Sequence, residues 1–435
     1  MGKEAAAEVQ KSIGLVQDPA LQSYVSELAI PMARRSERPN LPWTFQVVED
    51  DAVNAFALPG GPVFVTRGIL AHMNSEAQLV SVLGHEMGHV TARHSASQIS
   101  KQQIFSLGAV ATVIALPGLS NAADALSQGL GLLFLKFSRD DETQADGLGF
   151  RYMLAAGYDP HEMAKMFQTL DRMGEGGSGK TPQWLSTHPD PGNRVAATNA
   201  RIAKAGALPP NLKVEREPFM RRLEGLMFGP NPRNGFFRGT EFLHPDLKFT
   251  LEFPVGWKTQ NQNTQVAGAP SAGDAIVSLT FAEAGSTPRS ALQAFYAKQG
   301  ITNGGTSTAS INGFSAASGS FGATTESASY AGWVAFYDLD GQTVRVIGYT
   351  TAAKIGSYDA ALRNAVTSLR RLTDPSALNV RPNRVHIVRT QGAMTLAEFN
   401  RQNPSVIPMA QLALINGMDS TSTIPAGTLV KRVTQ

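Results

Sequence analysis

The chain contains no cysteine, so disulfides, cysteine nucleophiles and thiolate metal sites are excluded, and any metal it holds must be bound by histidine and carboxylate. A long apolar run is missing as well. The most apolar stretch, Ile104 to Leu119, is interrupted by Ser106, Thr112 and Pro117 and falls short of the ~20 residues that a membrane span needs. Nor is there a strong excess of one charge: 38 basic against 35 acidic residues leave a formal charge of +3, and no dense Lys/Arg run occurs. Nucleic acid is therefore not an expected partner. The N-terminus, Met1 to Ala6, has no apolar signal core, so the expectation is a cytosolic chain or one from which a leader has been cut.

What is present is enough length, 435 residues, for about three domains. Val9, Ile13, Leu21, Val25, Leu28 and Ile30 recur at helical spacing with a restart at Asp18-Pro19, and Trp43–Val48 and Pro62–Thr66 read as strands. Between those strands lies Asn54-Ala55-Phe56-Ala57-Leu58-Pro59-Gly60-Gly61, an apolar segment ending in a turn. Residues 98–135, rich in Ala, Leu and Gly, read as helices flanking a cleft, with an amphipathic membrane-touching hairpin as the alternative. Gly174 to Thr181 formally matches a phosphate-binding loop, but a helical pattern precedes it and Pro182 follows directly, so it reads as a plain loop. Proline-rich residues 206–241 read as a linker, residues 242–374 as an α+β domain, and residues 380–435 as a strand, two short helices and a final strand.

The chemistry is concentrated in His85-Glu86-Met87-Gly88-His89, on a helix expected from Asn74. On a helix the two histidines differ by about 40° in azimuth and about 6 Å in rise, so both rings can reach one ion. Glu86 falls beside that ion, where its carboxylate can take a proton from water. Such a string also arises by chance on protein surfaces, so a third ligand is needed. Glu142, in a helix opening at Ser138, can supply it, and Asp146 one turn later can orient a ligand histidine. Seen in isolation, a carboxylate pair four apart is more often a solvated face.

Taken together, Asn54 to Gly61, His85 to His89, Glu142-x-x-Ala-Asp146 and His188-Pro189 followed by Arg194 make residues 1–200 resemble the zinc metallopeptidases of the CAAX prenyl protease and HtpX group, in their soluble periplasmic, BepA-like branch. The resemblance implies that His85, His89 and Glu142 ligate one Zn2+ per chain and that Glu86 is the general base. It also makes His188 a fourth ligand or transition-state stabiliser, and places Asp146 and Arg194 in support. Residues 242–372 are similar to the PsbP/Mog1-like fold, and residues 383–433 resemble a LysM module whose usual Gly-Asp-Thr start is here Gly392-Ala393-Met394.

The expected architecture is thus multidomain α+β: a mainly helical zincin-like metallopeptidase domain over residues 1–205 with a small sheet, then an α/β sandwich, then a small LysM-like module. The expected function is zinc-dependent hydrolysis of peptide bonds in unfolded or misassembled proteins, as in envelope quality control. Asn54, Ala55 and Phe56 are expected to pair with an extended substrate as an added strand. Polypeptide substrates are the expected partners, with envelope or outer-membrane proteins and a peptidoglycan contact through the C-terminal module following from the resemblance, as does an extracytoplasmic address. The alternative is a chaperone-like or cell-wall-binding factor whose peptidase site is gated by His188 or vestigial.

Overall fold

A computed structural model describes residues 2–98, 136–174, 182–262, 265–325 and 328–435. The expectations for residues 99–135, including the membrane-touching hairpin, and for the glycine-rich stretch 175–181 lie outside them. The described residues divide into two compact units: one contains those up to Pro230 together with Pro382–Gln435, the other Asn231–Arg381.

In the first unit, helix α1 spans Gly2–Ser12 and α2 Pro19–Ala33. The restart read at Asp18-Pro19 is a helix cap: the Asp18 carboxylate accepts the Leu21 N–H at 3.0 Å, and Pro19, which has no N–H to lose, opens the first turn. Strands β1 (Thr44–Val48), β2 (Ala55–Ala57) and β3 (Pro62–Thr66) form a sheet in the order β1-β3-β2. β1 runs parallel to β3, with Phe45 opposite Val63, and β2 antiparallel to it, with Phe56 opposite Phe64. The β2–β3 turn needs Gly60 and Gly61, whose φ values of +94° and +124° are costly for other residues.

Helix α3 (Arg67–His72) leads into α4 (Glu76–Thr91), in which every residue from Glu76 to Val90 is buried. Ser75 caps α4 by accepting the Gln78 N–H, and Glu162 fixes this end by accepting from Ser75 Oγ at 2.7 Å and Gln78 Nε2 at 2.9 Å. Helix α5 (Arg139–Ala155) starts from a reciprocal Ser138–Asp141 capping box. It lies backbone to backbone against α4 because glycines face the contact. A Cβ at Gly88 would stand 2.8 Å from the Ala145 carbonyl oxygen, and one at Gly149 2.8 Å from the His85 nitrogen. This close approach brings short carboxylate side chains on α5 to the histidines of α4. Then follow α6 (His161–Arg172), α7 (Gln183–Thr187), α8 (Pro191–Ala205), α9 (Arg216–Arg222) and the short β4 (Met227–Phe228).

The C-terminal segment has the expected strand, two helices and strand, but it packs into the first unit instead of standing apart. Its strand Asn383–Arg389 pairs antiparallel with Leu429–Thr434 on one side and with β4 on the other. Lys431, fully buried, donates from Nζ to the carbonyls of Ala71 at 2.9 Å, Ile415 at 2.8 Å and Met73. Burial, and secondarily Arg216, pushes its pKa well down. The expected 206–241 linker is likewise divided, its first part packing in this unit through Phe219, Leu223 and Phe228.

The second unit is built on a seven-stranded sheet, Ile301–Ile311, Phe314–Thr324, Ser329–Leu339, Gln342–Thr351, Ala275–Phe281, Gln265–Ala269 and Lys258–Gln262 in spatial order, every neighbouring pair antiparallel. Period-2 alternation sends Val344 and Val346 to one face, under Leu362 and Val366 of the helix Ile355–Thr367. Ile347 and Tyr349 go to the other, under Leu292 and Phe295 of the helix Pro288–Tyr296. A four-stranded antiparallel sheet contributes Phe242, Phe249 and Leu251 to the first of these cores.

Candidate metal centre

The α4–α5 contact brings together the residues singled out by spacing. His85 Nε2 and His89 Nε2 lie 3.0 Å apart. Glu142 presents Oε1 at 3.3 Å from His89 Nε2 and Oε2 at 3.6 Å from His85 Nε2. His188 joins them, with Nδ1 at 2.9 Å from Glu142 Oε1 and 3.3 Å from His85 Nε2. All four residues are buried and offer ligand atoms within 4.8 Å of one another, the only such group of three or more among the described residues.

Hydrogen bonding fixes how these rings face. Asp146 Oδ1 lies 2.9 Å from His85 Nδ1; a carboxylate only accepts, and the Arg194 Nη2 at 3.1 Å from the same nitrogen lies closer to that carboxylate, at 2.6 Å, so Nδ1 carries the hydrogen and Nε2 is left with a lone pair pointing inward. Two ring nitrogens at 3.0 Å cannot both present lone pairs unless a proton or a cation lies between them. The charge balance points the same way. Glu86, Glu142 and Asp146 are buried with a single guanidinium, Arg194, which leaves the cluster one or two negative charges in excess, according to whether His188 carries a proton. A divalent cation offsets them. Residues that offer imidazole nitrogen and carboxylate oxygen, and no thiolate, fit such an ion.

The electrostatics favour the ligand-competent forms of His89 and Glu142. Burial lowers the His89 pKa well below its ordinary value, leaving the ring neutral. Burial would raise Glu142, but the charges of His188 and Arg194 override it and hold the carboxyl far below the usual range. In Asp146 the same contest, burial against Arg194 and the His85 hydrogen bond, ends at about 2. His188 moves the other way: burial would lower its pKa, yet the Glu142 charge and hydrogen bond raise it.

Arg194, in the first turn of α8, is the clamp. It donates from Nε to Asp146 Oδ2 at 2.8 Å and from Nη2 to Asp146 Oδ1 at 2.6 Å. Its Nη1 sits 2.9 Å from Glu142 Oε2, an ion contact off the line of a hydrogen bond. The guanidinium carbon stands 4.1 Å from the Phe167 ring centroid and 4.5 Å from that of Trp184. His188, just past the end of α7, is held by its own N–H on the Trp184 carbonyl at 2.7 Å and by stacking on the Trp184 ring at 4.8 Å. Glu86 Oε1 is buried without a hydrogen-bond partner, 3.8 Å from His188 Nε2.

Asn54, Ala55 and Phe56 are buried at the sheet edge: β2 pairs with β3 on one side and with no described strand on the other. The Trp184 N–H donates to the Val53 carbonyl at 3.1 Å, which ties the helix before His188 to the start of β2. The Asn54 side-chain oxygen is buried and unpartnered, while Phe56 turns away to stack on Phe64.

Sequence spacing did not reveal Trp184, Phe137 or His94. Trp184 carried a usable signal, four positions before His188. Phe137 did not: its ring lies 3.9 Å from that of His89 because its backbone N–H pairs with the Thr187 carbonyl, a contact between distant segments. His94 lies five positions after His89, off the helical face that spacing arguments use.

Residues 16–202 match the model of peptidase family M48. Among curated proteins, the chain is 30% identical over 213 residues to a beta-barrel assembly-enhancing protease of Yersinia pestis, covering 46% of this chain and 43% of that protein. It is 36% identical over 186 residues to the mitochondrial metalloendopeptidase OMA1 of Arabidopsis thaliana, covering 42% of this chain and 36% of that one. The chain thus spans less than half the length of these two relatives. Among solved structures, cyanobacterial PsbP of Synechocystis matches 31% of this chain and 95% of its own, at 8% identity and a TM-score of 0.25. No described helix is long and apolar enough to cross a membrane.

Proposed function

From the match of residues 16–202 to peptidase family M48, we propose that this chain is a zinc-dependent endopeptidase acting on unfolded or misassembled proteins. The observation that carries the reading is the convergence of His85, His89 and Glu142 from two helices on one point, with the buried Glu86 Oε1, which has no hydrogen-bond partner, beside it. His85 and His89 would hold the ion through Nε2 and Glu142 through a carboxylate oxygen. When bound, zinc supplies Lewis acidity, which makes water a nucleophile near neutral pH and polarises a carbonyl. Glu86 accepts the proton of the attacking water and returns it to the amine nitrogen as the peptide bond breaks. Arg194 and Asp146 keep the His85 ring aimed inward. His188, beside both Glu86 and Glu142, would donate a hydrogen bond to the oxygen that becomes negative in the transition state.

Substrate would pair along the edge of β2 that no described strand occupies, within Asn54, Ala55 and Phe56, where Ala55 turns its backbone groups away from β3 while the Asn54 N–H and C=O are engaged by Thr66. Such pairing reads backbone more than sequence, and only an unfolded segment can present it. The name of the Yersinia relative, which refers to beta-barrel assembly, supports substrates among envelope proteins and an extracytoplasmic address. The strand-helix-helix-strand order of residues 383–434 is compatible with a LysM-type glycan contact, a subsidiary part of this reading.

The test is Glu86→Gln, assayed for casein cleavage beside the parent and for metal content. Proteolysis is expected to fall by about 10²- to 10⁴-fold while zinc remains near one ion per chain. Equal cleavage by both proteins would remove Glu86 from the mechanism.

A further inference from the structure

We propose that His94 is a positioning residue for the metal: it fixes the ring of His89, in series with Gln144, so that the His89 lone pair points into the ligand cluster. The inference rests on the metallopeptidase reading and extends it to a group outside the ligand set.

Helix α4 stops at Thr91, and Arg93 adopts φ +64°, a left-handed conformation that reverses the chain. In an uninterrupted helix, a residue five positions after His89 would lie about 140° round from it. The reversal instead folds the buried His94 ring back over His89, with centroids 5.0 Å apart at 74°. His94 Nδ1 then lies 3.0 Å from His89 Nδ1, and His94 Nε2 lies 3.0 Å from Gln144 Oε1.

Which nitrogen carries which hydrogen follows from the far end of the series. An amide oxygen only accepts, so His94 Nε2 is the donor to it. Asp141 Oδ1, 3.6 Å from the same nitrogen, is another group that only accepts, and it favours this orientation of the Gln144 amide over the flipped one. With its hydrogen on Nε2, His94 has its lone pair on Nδ1 and accepts from His89 Nδ1–H. The His89 lone pair is thereby placed on Nε2, the atom that faces His85 and Glu142. His85 receives the same service from Asp146. The two ligand histidines are thus oriented by different chemistry, one by a carboxylate and one by a neutral imidazole, and both supports are anchored on α5. Using an imidazole for the second adds no negative charge to a cluster that already has an excess of it.

The experiment is a zinc titration of the purified chain against a chromophoric chelator, with urea unfolding of the zinc-free proteins alongside. His94→Phe keeps a ring of similar size but cannot accept a hydrogen bond, and it is expected to weaken zinc binding by about 10- to 100-fold. His94→Asn places an amide oxygen near the former Nδ1 and is expected to recover most of that loss. Gln144→Met, at an exposed position where refolding is not at risk, is expected to weaken binding by a smaller factor, and it tests the series if His94→Phe does not fold. Equal weakening by Phe and Asn at position 94 would reduce His94 to a packing residue. Affinities unchanged in both His94→Phe and Gln144→Met would overturn the proposal, with the metal site intact. Failure of the parent chain to bind zinc would instead overturn the metallopeptidase reading, before any variant is compared.

Discussion

Replacing Arg194 with methionine probes how strongly the site is held together by charge. Methionine keeps an apolar side chain between Phe167 and Trp184 but removes two hydrogen bonds to Asp146 and the ion contact with Glu142. Breaking a buried ion pair from one side costs about 3–5 kcal/mol, because the remaining charge is left buried without compensation. The Asp146 carboxyl gives an independent figure. Its pKa is held at about 2 against an ordinary 3.8, and at ~1.4 kcal/mol per unit this amounts to about 2–3 kcal/mol for Asp146. The sign follows from the depression: the stabilisation is complete above the unfolded-state pKa near 4 and is lost as pH falls towards 2. Without Arg194, burial is unopposed by that charge and raises the Asp146 pKa, so the loss sets in at higher pH. Urea unfolding of zinc-free parent and Arg194→Met protein at neutral pH, repeated down to pH 3, measures both effects. A variant within about 1 kcal/mol of the parent and with the same acid profile would refute the reasoning.

Gly149→Ala places a methyl group 2.8 Å from the His85 nitrogen; overpacking there is expected to cost about 1–3 kcal/mol and, by moving α5 off α4, to weaken zinc binding, both readable in a thermal melt with and without zinc. Lys431→Met leaves the carbonyls of Ala71, Met73 and Ile415 without their donor, for an expected loss of about 2–4 kcal/mol. A melting temperature equal to that of the parent would show that the C-terminal segment is not integral to the first unit.

The ligand helix was legible because its signals are local. Four-residue spacing placed His85 and His89 on one face, and the capping residues Asp18 and Ser138 stand where their helices begin, while α4 begins at Glu76 behind its cap Ser75 instead of at Asn74. Glu142 and Asp146 were found by what a metal still required, and their meeting with α4 depends on Gly88 and Gly149, whose role appears only once both helices are in place. Strands Ile301–Ile311 and Phe314–Thr324 escaped reading: the first is an edge strand, exposed along most of its length, so its Ser, Thr and Gly residues show no apolar alternation. The C-terminal segment showed its element order but not its docking, because Lys431 reads as a surface residue until three carbonyls surround it. His94 was hidden by a single backbone angle, the positive φ of Arg93.

The most direct measurement is anomalous diffraction from crystals of the zinc-loaded protein, recorded on both sides of the zinc absorption edge. The account predicts one strong peak enclosed by His85 Nε2, His89 Nε2 and the Glu142 carboxylate. A map with no peak there, or with zinc bound elsewhere on the chain, would contradict it.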